Sequence, residues 1–341
     1  MSLHTNMYRE AGQAPAVVRT QLEHNAAIMR ELGAVLRKLS PRVVVTGARG
    51  SSDHAATFAK YLIETHTDAL TTSAAPSLSS VYDTRTNLRD TLFLAISQSG
   101  KSPDLLAMAE KAKASGAHVV SLCNSPDSPL SRLAHHAIDL CAGAETSVAA
   151  TKSYIASLSA IIQLLGHWIG NETLLDALQH APGQLEQAWN LDWSVARDAL
   201  QPVNNLFIVG RGYGLGVAQE AALKLKETCG LHAEAFSAAE VQHGPMALVR
   251  KNFPVLAFSQ SDDTREGIET LARDFVSRGA KVLLAGATTP GAFSLPTVTA
   301  HPVIEPMLMI QSFYRMAESL AIARGLDPDT PPHLRKVTET V

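Results

Sequence analysis

The sequence predicts an α/β protein built from two tandem copies of one parallel-sheet domain, preceded by a helical segment and followed by a short tail. Three observations predict this class. Short apolar runs, RVVVTG at Arg42–Gly47, TLFLAIS at Thr91–Ser97 and Val119–Leu122, alternate with stretches of helical periodicity. These runs are continuously apolar rather than alternating, which is the pattern of strands covered by helices on both faces. The whole arrangement then recurs. LFIVGRG at Leu206–Gly212 resembles VVTGARG at Val44–Gly50, and VLAFSQS at Val255–Ser261 resembles FLAISQS at Phe93–Ser99. Gly50 and Gly212 share an offset of 162 with Ser97 and Ser259, and GAKVL at Gly279–Leu283 follows GAHVV at Gly116–Val120 one insertion later. A period of this length marks a duplicated domain, not a solenoid.

In chain order, Tyr8–Leu39 carries Val17, Leu22, Met29, Leu32 and Leu36 at broadly helical spacing. The Arg42–Gly47 strand runs through GARGSSD into a helix over about His54–Glu64. The Thr91–Ser97 strand runs through QSGKSPD into a helix over about Leu105–Ser115, and Val119–Leu122 is the third strand. A helical stretch around Glu172–Leu200 joins the copies. The expected divisions are 1–34 for the leading helix, 35–171 and 201–330 for the two domains, 172–200 for the linker and 331–341 for the tail.

Composition narrows the function classes. Of 341 residues, 46% are hydrophobic and 18% charged, which excludes wholesale disorder, and two domains of this size each bury a core. A net charge of −3, no basic block and 5% aromatic residues argue against nucleic acid or an anionic membrane as partner. Cys123, Cys141 and Cys229 are scattered and odd in number, as suits buried thiols in a reducing cytosol. MSLHTNMYRE lacks the apolar core of a signal peptide, and the apolar stretch from Ile155 is too short and too interrupted to span a bilayer. A cytoplasmic location is expected.

The loops after the strands carry the chemistry. Ser97-Gln98-Ser99-Gly100-Lys101-Ser102 offers hydroxyls, a permissive glycine and a helix start, the ingredients of an anion site. A lone serine is more often only a cap; three of them after a parallel strand shift the balance to a ligand. Asp104 opposes an anion and Lys101 is expected to offset it. The second copy reads Ser259-Gln260-Ser261-Asp262-Asp263, whose aspartates repel a phosphate, so one anion site per chain is expected. Ser51 and Ser52 in GARGSS supply further donors. Neither that loop nor GRGYGLG at Gly210 is a dinucleotide fingerprint, and no Cys/His spacing makes a ligand set, so neither cofactor nor metal is expected. Glu227 closes a helical run that stops at Gly230, where the negative end of the dipole raises a carboxyl pKa. On position alone the better reading is a solvated helix-end glutamate flanked by Lys224 and Lys226. His243 precedes Gly244-Pro245, a helix stop that biases it towards its charged form. Lys336 alone reads as a surface lysine.

Five motifs then carry a resemblance: GSS at Gly50–Ser52, SQSGKSPD at Ser97–Asp104, AETSVAATKSY at Ala144–Tyr154, ALKLKE at Ala222–Glu227 and HAEAFSAAEVQHGP at His232–Pro245, with HLRKVTETV closing the chain. They resemble the sugar-isomerase (SIS) family, in particular the isomerase half of glucosamine-6-phosphate synthases and the stand-alone deaminases of that fold. The resemblance implies flavodoxin-like domains and a substrate that is an amino-sugar phosphate. It implies Glu227 as the C1/C2 proton shuttle and His243 as the ring-opening group, placed in the neighbouring subunit's site of a homodimer. It also implies Lys336 as a third catalytic residue, with Ser51, Ser52, Ser97, Gln98, Ser99, Ser102, Val148 and Arg335 binding substrate. The glutaminase cysteine of the synthases has no counterpart after Met1, so deamination of glucosamine 6-phosphate is the expected reaction. Galactosamine 6-phosphate as substrate, simple isomerisation, a transaminase-type isomerase half, deglycation and a non-catalytic sugar-phosphate sensor stay open.

Overall fold

The computed structural model describes residues 4–82, 84 and 86–336. The chain divides into two units. Ala16–Glu145 and Lys152–Gln179 form the first, while residues up to Pro15, Thr146–Thr151 and His180–Lys336 form the second. Three helices open the chain, α1 (Asn6–Gly12), α2 (Ala14–His24) and α3 (Ala26–Leu39). The single leading helix expected from periodicity is therefore broken twice. Pro15 lacks an N–H and is tolerated only in a first turn, so a new helix has to start beside it. At Asn25 the side chain instead reaches the Asp139 carbonyl, 2.7 Å away.

The first unit continues with β1 (Val43–Gly47), α4 (Ser51–His66), β2 (Leu70–Ser73), α5 (Pro76–Ser80), β3 (Thr91–Ser97), α6 (Pro103–Ala114), β4 (His118–Cys123), α7 (Pro129–Leu133), β5 (His136–Asp139) and α8 (Lys152–Ile169). All strands are parallel, in the order β2-β1-β3-β4-β5. Val45, Phe93, Leu105, Met108, Val119 and Leu130 pack one side of this sheet. The apolar stretch from Ile155 is α8, buried along almost its whole length. No helix among the described residues is long and apolar enough to cross a membrane.

After α9 (Glu172–Trp189) and α10 (Ser194–Leu200) come β6 (Asn205–Gly210), α11 (Gly214–Cys229), β7 (His232–Ser237), β8 (Pro254–Phe258), α12 (Arg265–Ser277), β9 (Lys281–Ala285), β10 (Phe293–Leu295) and α13 (Glu305–Ala323). The second sheet, β10-β9-β8-β6-β7, is again parallel and has the topology of the first read in chain order. The duplication is thus a duplication of fold. Phe207, Val255, Ile268, Leu271, Phe275 and Val282 form its core beneath α12.

The six strands expected from sequence are the six central ones, and β2, β5, β7 and β10 are the four edges. An edge strand need not be continuously apolar. β2 is LTTS with only Thr71 buried, and β7 is HAEAFS with only Ala233 buried. In each unit the strand order reverses beside the first strand, so the crevice at the strand ends lies between β1 and β3, and between β6 and β8. Open α/β sheets bind ligands at such a switch point.

Candidate active site

The switch point of the first unit gathers the predicted anion ligands. Gly47 at the end of β1 pairs with Ala95 of β3, which places the loop Ala48–Gly50 beside the loop Gln98–Ser102. Ser51 and Ser52 are the first residues of α4, and Ser102 is the N-cap of α6. Two helix N-termini therefore meet the serine loop. The loop is held in shape by its own hydroxyls: Ser97 Oγ accepts from Gly100 N at 3.0 Å, and Ser99 Oγ accepts from Lys101 N at 3.3 Å. Gly100 is left-handed at φ +63°, and a Cβ there would come 2.2 Å from Ser128 Oγ and 2.7 Å from Cys123 Sγ. No other residue type fits that turn. Ser102 caps α6 with an extended backbone but makes no side-chain cap bond. Its hydroxyl is not spent on the helix.

Asp104 does not stand unpaired beside the serine loop, and its partner differs from the expected Lys101. Arg49 donates to Asp104 Oδ2 from Nε at 2.9 Å and from its terminal nitrogen at 2.7 Å, while Asp104 Oδ1 accepts from Leu105 N. Lys101 is exposed. The carboxylate is buried and neutralised by Arg49. Proximity along the chain suggested Lys101; the fold brings in Arg49 from the neighbouring loop.

The mirrored loop of the second unit is already occupied by acidic groups. Asp262 Oδ1 accepts from Thr264 N at 2.9 Å, just before α12, and Glu305 Oε2 accepts from Ser261 N at 2.6 Å. Gln260 Nε2 donates to the Arg211 carbonyl, to Asp262 and to Thr264. The adjoining cleft of about 510 Å³ is lined by Arg211 but also by Asp263, Glu266 and Asp274. Side-chain carboxylates sit where a phosphate would bind.

The second unit holds the predicted proton-transfer groups. Glu220, Lys224 and Glu227 lie on one face of α11, at the spacing that brings helical side chains together. Lys224 Nζ donates to Glu227 Oε2 and stands 3.6 Å from Glu220 Oε1, which also accepts from Tyr314 Oη at 3.1 Å. Glu220 and Lys224 are 0% and 1% exposed, and Glu227 is 20% exposed. The network is thus sealed at one end and open at Glu227. Of the two lysines that flank Glu227 in the sequence, Lys224 is buried and Lys226 is exposed. Gly230 terminates α11 in the left-handed conformation, and the Leu231 N–H reaches back to the Leu225 carbonyl, which fixes the last turn that carries Glu227.

Lys336 and Val148 come together in the same unit. Lys336 Nζ donates to the Ser147 carbonyl at 2.8 Å, one residue before half-buried Val148. Arg335 is exposed. His243 is also exposed, and the helix that was expected to bias its charge is a single 3-10 turn, Glu240–Gln242. A three-residue turn has no appreciable macrodipole to act on His243.

Cys141 and Cys229 are poor nucleophiles. Burial pushes Cys229 up to about 11, and burial with the nearby Asp139 carboxylate pushes Cys141 up to about 11. Among the described residues one mixed group, His24, Asp139 and Cys141, brings metal-ligating atoms within 4.8 Å of one another in the first unit. Spacing in the sequence could not show it, because His24 and Asp139 come from distant segments.

Comparison with known proteins agrees with this geometry. The family model of the SIS domain matches residues 38–166 and 199–285. The glutamine–fructose-6-phosphate aminotransferase (isomerizing) of Symbiobacterium thermophilum is 35% identical over 322 residues, covering 86% of this chain and 51% of that protein. The chain spans about half the length of the curated relatives it matches. A crystal structure from Silicibacter pomeroyi DSS-3, provisionally described as a phosphosugar isomerase, is 42% identical with a TM-score of 0.92 and covers 96% of this chain and 100% of its own. The glucosamine-6-phosphate deaminase structure of Thermotoga maritima shares the fold at 22% identity and TM-score 0.77, covering 98% of this chain and 100% of its own. Two parallel sheets of one topology, the serine-lined switch point and the match over both halves lead to one conclusion: the chain belongs to the SIS domain family.

Proposed function

We propose that the protein is a phosphosugar isomerase that deaminates an amino-sugar phosphate, converting glucosamine 6-phosphate and water to fructose 6-phosphate and ammonia. The observation that carries this is the α11 network, in which a buried lysine anchors a carboxylate whose outer end stays accessible. One base that can take and return a proton is what transfer between adjacent carbons requires. In this reading the phosphate sits on Ser97, Gln98, Ser99 and Ser102 with the α4 and α6 N-termini, aided by Ser51 and Ser52. Val148, Arg335 and Lys336 flank the sugar. His243 of a second copy gives a proton to the ring oxygen as the bond from C1 to that oxygen breaks, and the C1 hydroxyl proton passes to water, leaving the open-chain aldehyde. Glu227 then takes the C2 proton, the freed pair forms the C1–C2 double bond, and the C1 oxygen is protonated. Glu227 returns the proton to C1, leaving a C2 imine. Water adds to C2, the C–N bond breaks, and ammonia leaves with the proton it needs.

The likeness to the Silicibacter protein favours, as a second reading, aldose–ketose isomerisation with the same Glu227 shuttle and no loss of nitrogen. Incubation with glucosamine 6-phosphate and galactosamine 6-phosphate, with ammonia and ketose phosphate both assayed, separates the readings. Ketose formation from the amino sugar with stoichiometric ammonia is the expected result. Glu227→Gln should lower kcat at least about a hundredfold and abolish solvent deuterium exchange at C1 and C2. Exchange at the normal rate in that variant would assign the shuttle to another residue.

A further inference from the structure

The N-terminal helix carries a buried carboxylate with no part in the chemistry described so far. Glu10, on α1, is 6% exposed. Its Oε1 accepts from Thr146 N and, at 2.8 Å, from Thr146 Oγ1; its Oε2 accepts from Ser147 N at 3.1 Å. Both carboxylate oxygens are thus committed to one dipeptide, 136 residues away in the chain. That dipeptide turns its next polar group outward: the Ser147 carbonyl receives Lys336 Nζ, and Val148 follows directly. The helix itself is tied down, because Asp329 accepts from Asn6 N and Met7 N, and Thr5 Oγ1 donates to Glu318.

We infer that Glu10 is a positioning residue: it fixes the Thr146–Ser147 backbone and, through the Ser147 carbonyl, the perch of the Lys336 ammonium. The role of that perch in turnover rests on the deaminase reading above; the positioning itself does not. Charge-assisted bonds from two N–H groups and a hydroxyl are strong and directional, and only an acceptor-only side chain satisfies all three. In Glu10→Gln one terminal atom becomes an NH₂ that meets backbone N–H donors, so at least one bond must break. A displacement of about 1 Å at a group that touches substrate is enough to cost roughly a hundredfold in rate.

The test uses the full chain with Glu10→Gln and, as a milder variant, Thr146→Val, which removes only the hydroxyl donor. Amide hydrogen exchange at residues 146–147 and the rate of Lys336 trinitrophenylation, read by peptide mass spectrometry, report the positioning without any substrate. Exchange and Lys336 labelling should both rise about threefold or more in Glu10→Gln and less in Thr146→Val, as expected for local rather than global opening. In the amino-sugar phosphate assay, kcat of Glu10→Gln should fall roughly tenfold to a hundredfold with KM within about twofold, because the serine loop belongs to the other unit. Unchanged exchange and labelling in Glu10→Gln would overturn the inference whatever the activity. An inactive wild type would instead overturn the deaminase reading, and the labelling would still decide the role of Glu10.

Discussion

Ser97, Ser99 and Ser102 differ in what their hydroxyls already do. Ser97 and Ser99 accept bonds from Gly100 N and Lys101 N, which leaves each O–H to point at a ligand, and Ser102 makes no side-chain cap bond. Replacing any of the three with alanine should raise KM by roughly tenfold or more, about one charge-assisted hydrogen bond each. Ser259→Ala and Ser261→Ala should scarcely change KM, since Glu305 and Asp262 already fill that loop. Steady-state kinetics on the five variants checks this, and equal damage from both sets would refute a single phosphate site. Arg49 belongs to the same residue-scale logic. It cancels the Asp104 charge next to the serine loop, a pairing invisible from the chain because 55 residues separate the two.

At the scale of elements, the β4–β5 edge of the first sheet carries a histidine cluster with a measurable consequence. His118 Nε2 lies 3.0 Å from His136 Nδ1, its ring stacks on His135 at 4.8 Å, and His135 Nδ1 accepts from Val119 N. Burial, then His135 and His136, lower the His118 pKa to about 4, and burial with Lys113 and His136 lowers that of His135. A folded pKa below the unfolded one means the unfolded chain binds more protons between about 6.5 and 4. The stabilising contribution is therefore complete above pH ~6.5 and is lost as pH falls towards about 4. Allowing for partial exposure, this amounts to on the order of 1–2 kcal/mol from His118. Thermal unfolding at pH 7.5 and pH 4.5 should show that His118→Phe loses less stability on acidification than the wild type does. An identical loss in both proteins would remove His118 as the source.

At the scale of the whole molecule, we propose a dimer in which each site joins Glu227 of one chain to His243 of the other. His243 is exposed on its own chain. A two-fold interface permits this sharing. Glu227→Gln and His243→Ala, each nearly inactive, should then complement when refolded together. Random mixing makes about half the dimers hybrid, with one intact site of two, so activity should recover to roughly a quarter of wild type. No recovery despite proven hybrids would place both residues in one chain's site and leave the proton-transfer chemistry standing.

The sequence by itself determined the duplication, the six central strands, the serine loop and the acidic residues of the mirrored loop in the second copy. Those features are local: buried parallel strands must be continuously apolar, and a turn between a strand and a helix needs its glycine and hydroxyls within a few residues. The edge strands were not legible, because one free side relaxes the demand for apolar residues at every position. Nor were the partners of charged groups. Arg49 with Asp104, Glu220 with Lys224 and Tyr314, and Glu10 with Thr146 and Ser147 are pairings, and three of these contacts bridge more than fifty residues of chain. A buried charge persists only where the fold supplies its counterpart. Tertiary structure alone decided whether Lys224 and Glu10 would lie in solvent or inside the second unit, since burial depends on which surfaces the folded backbone brings over them.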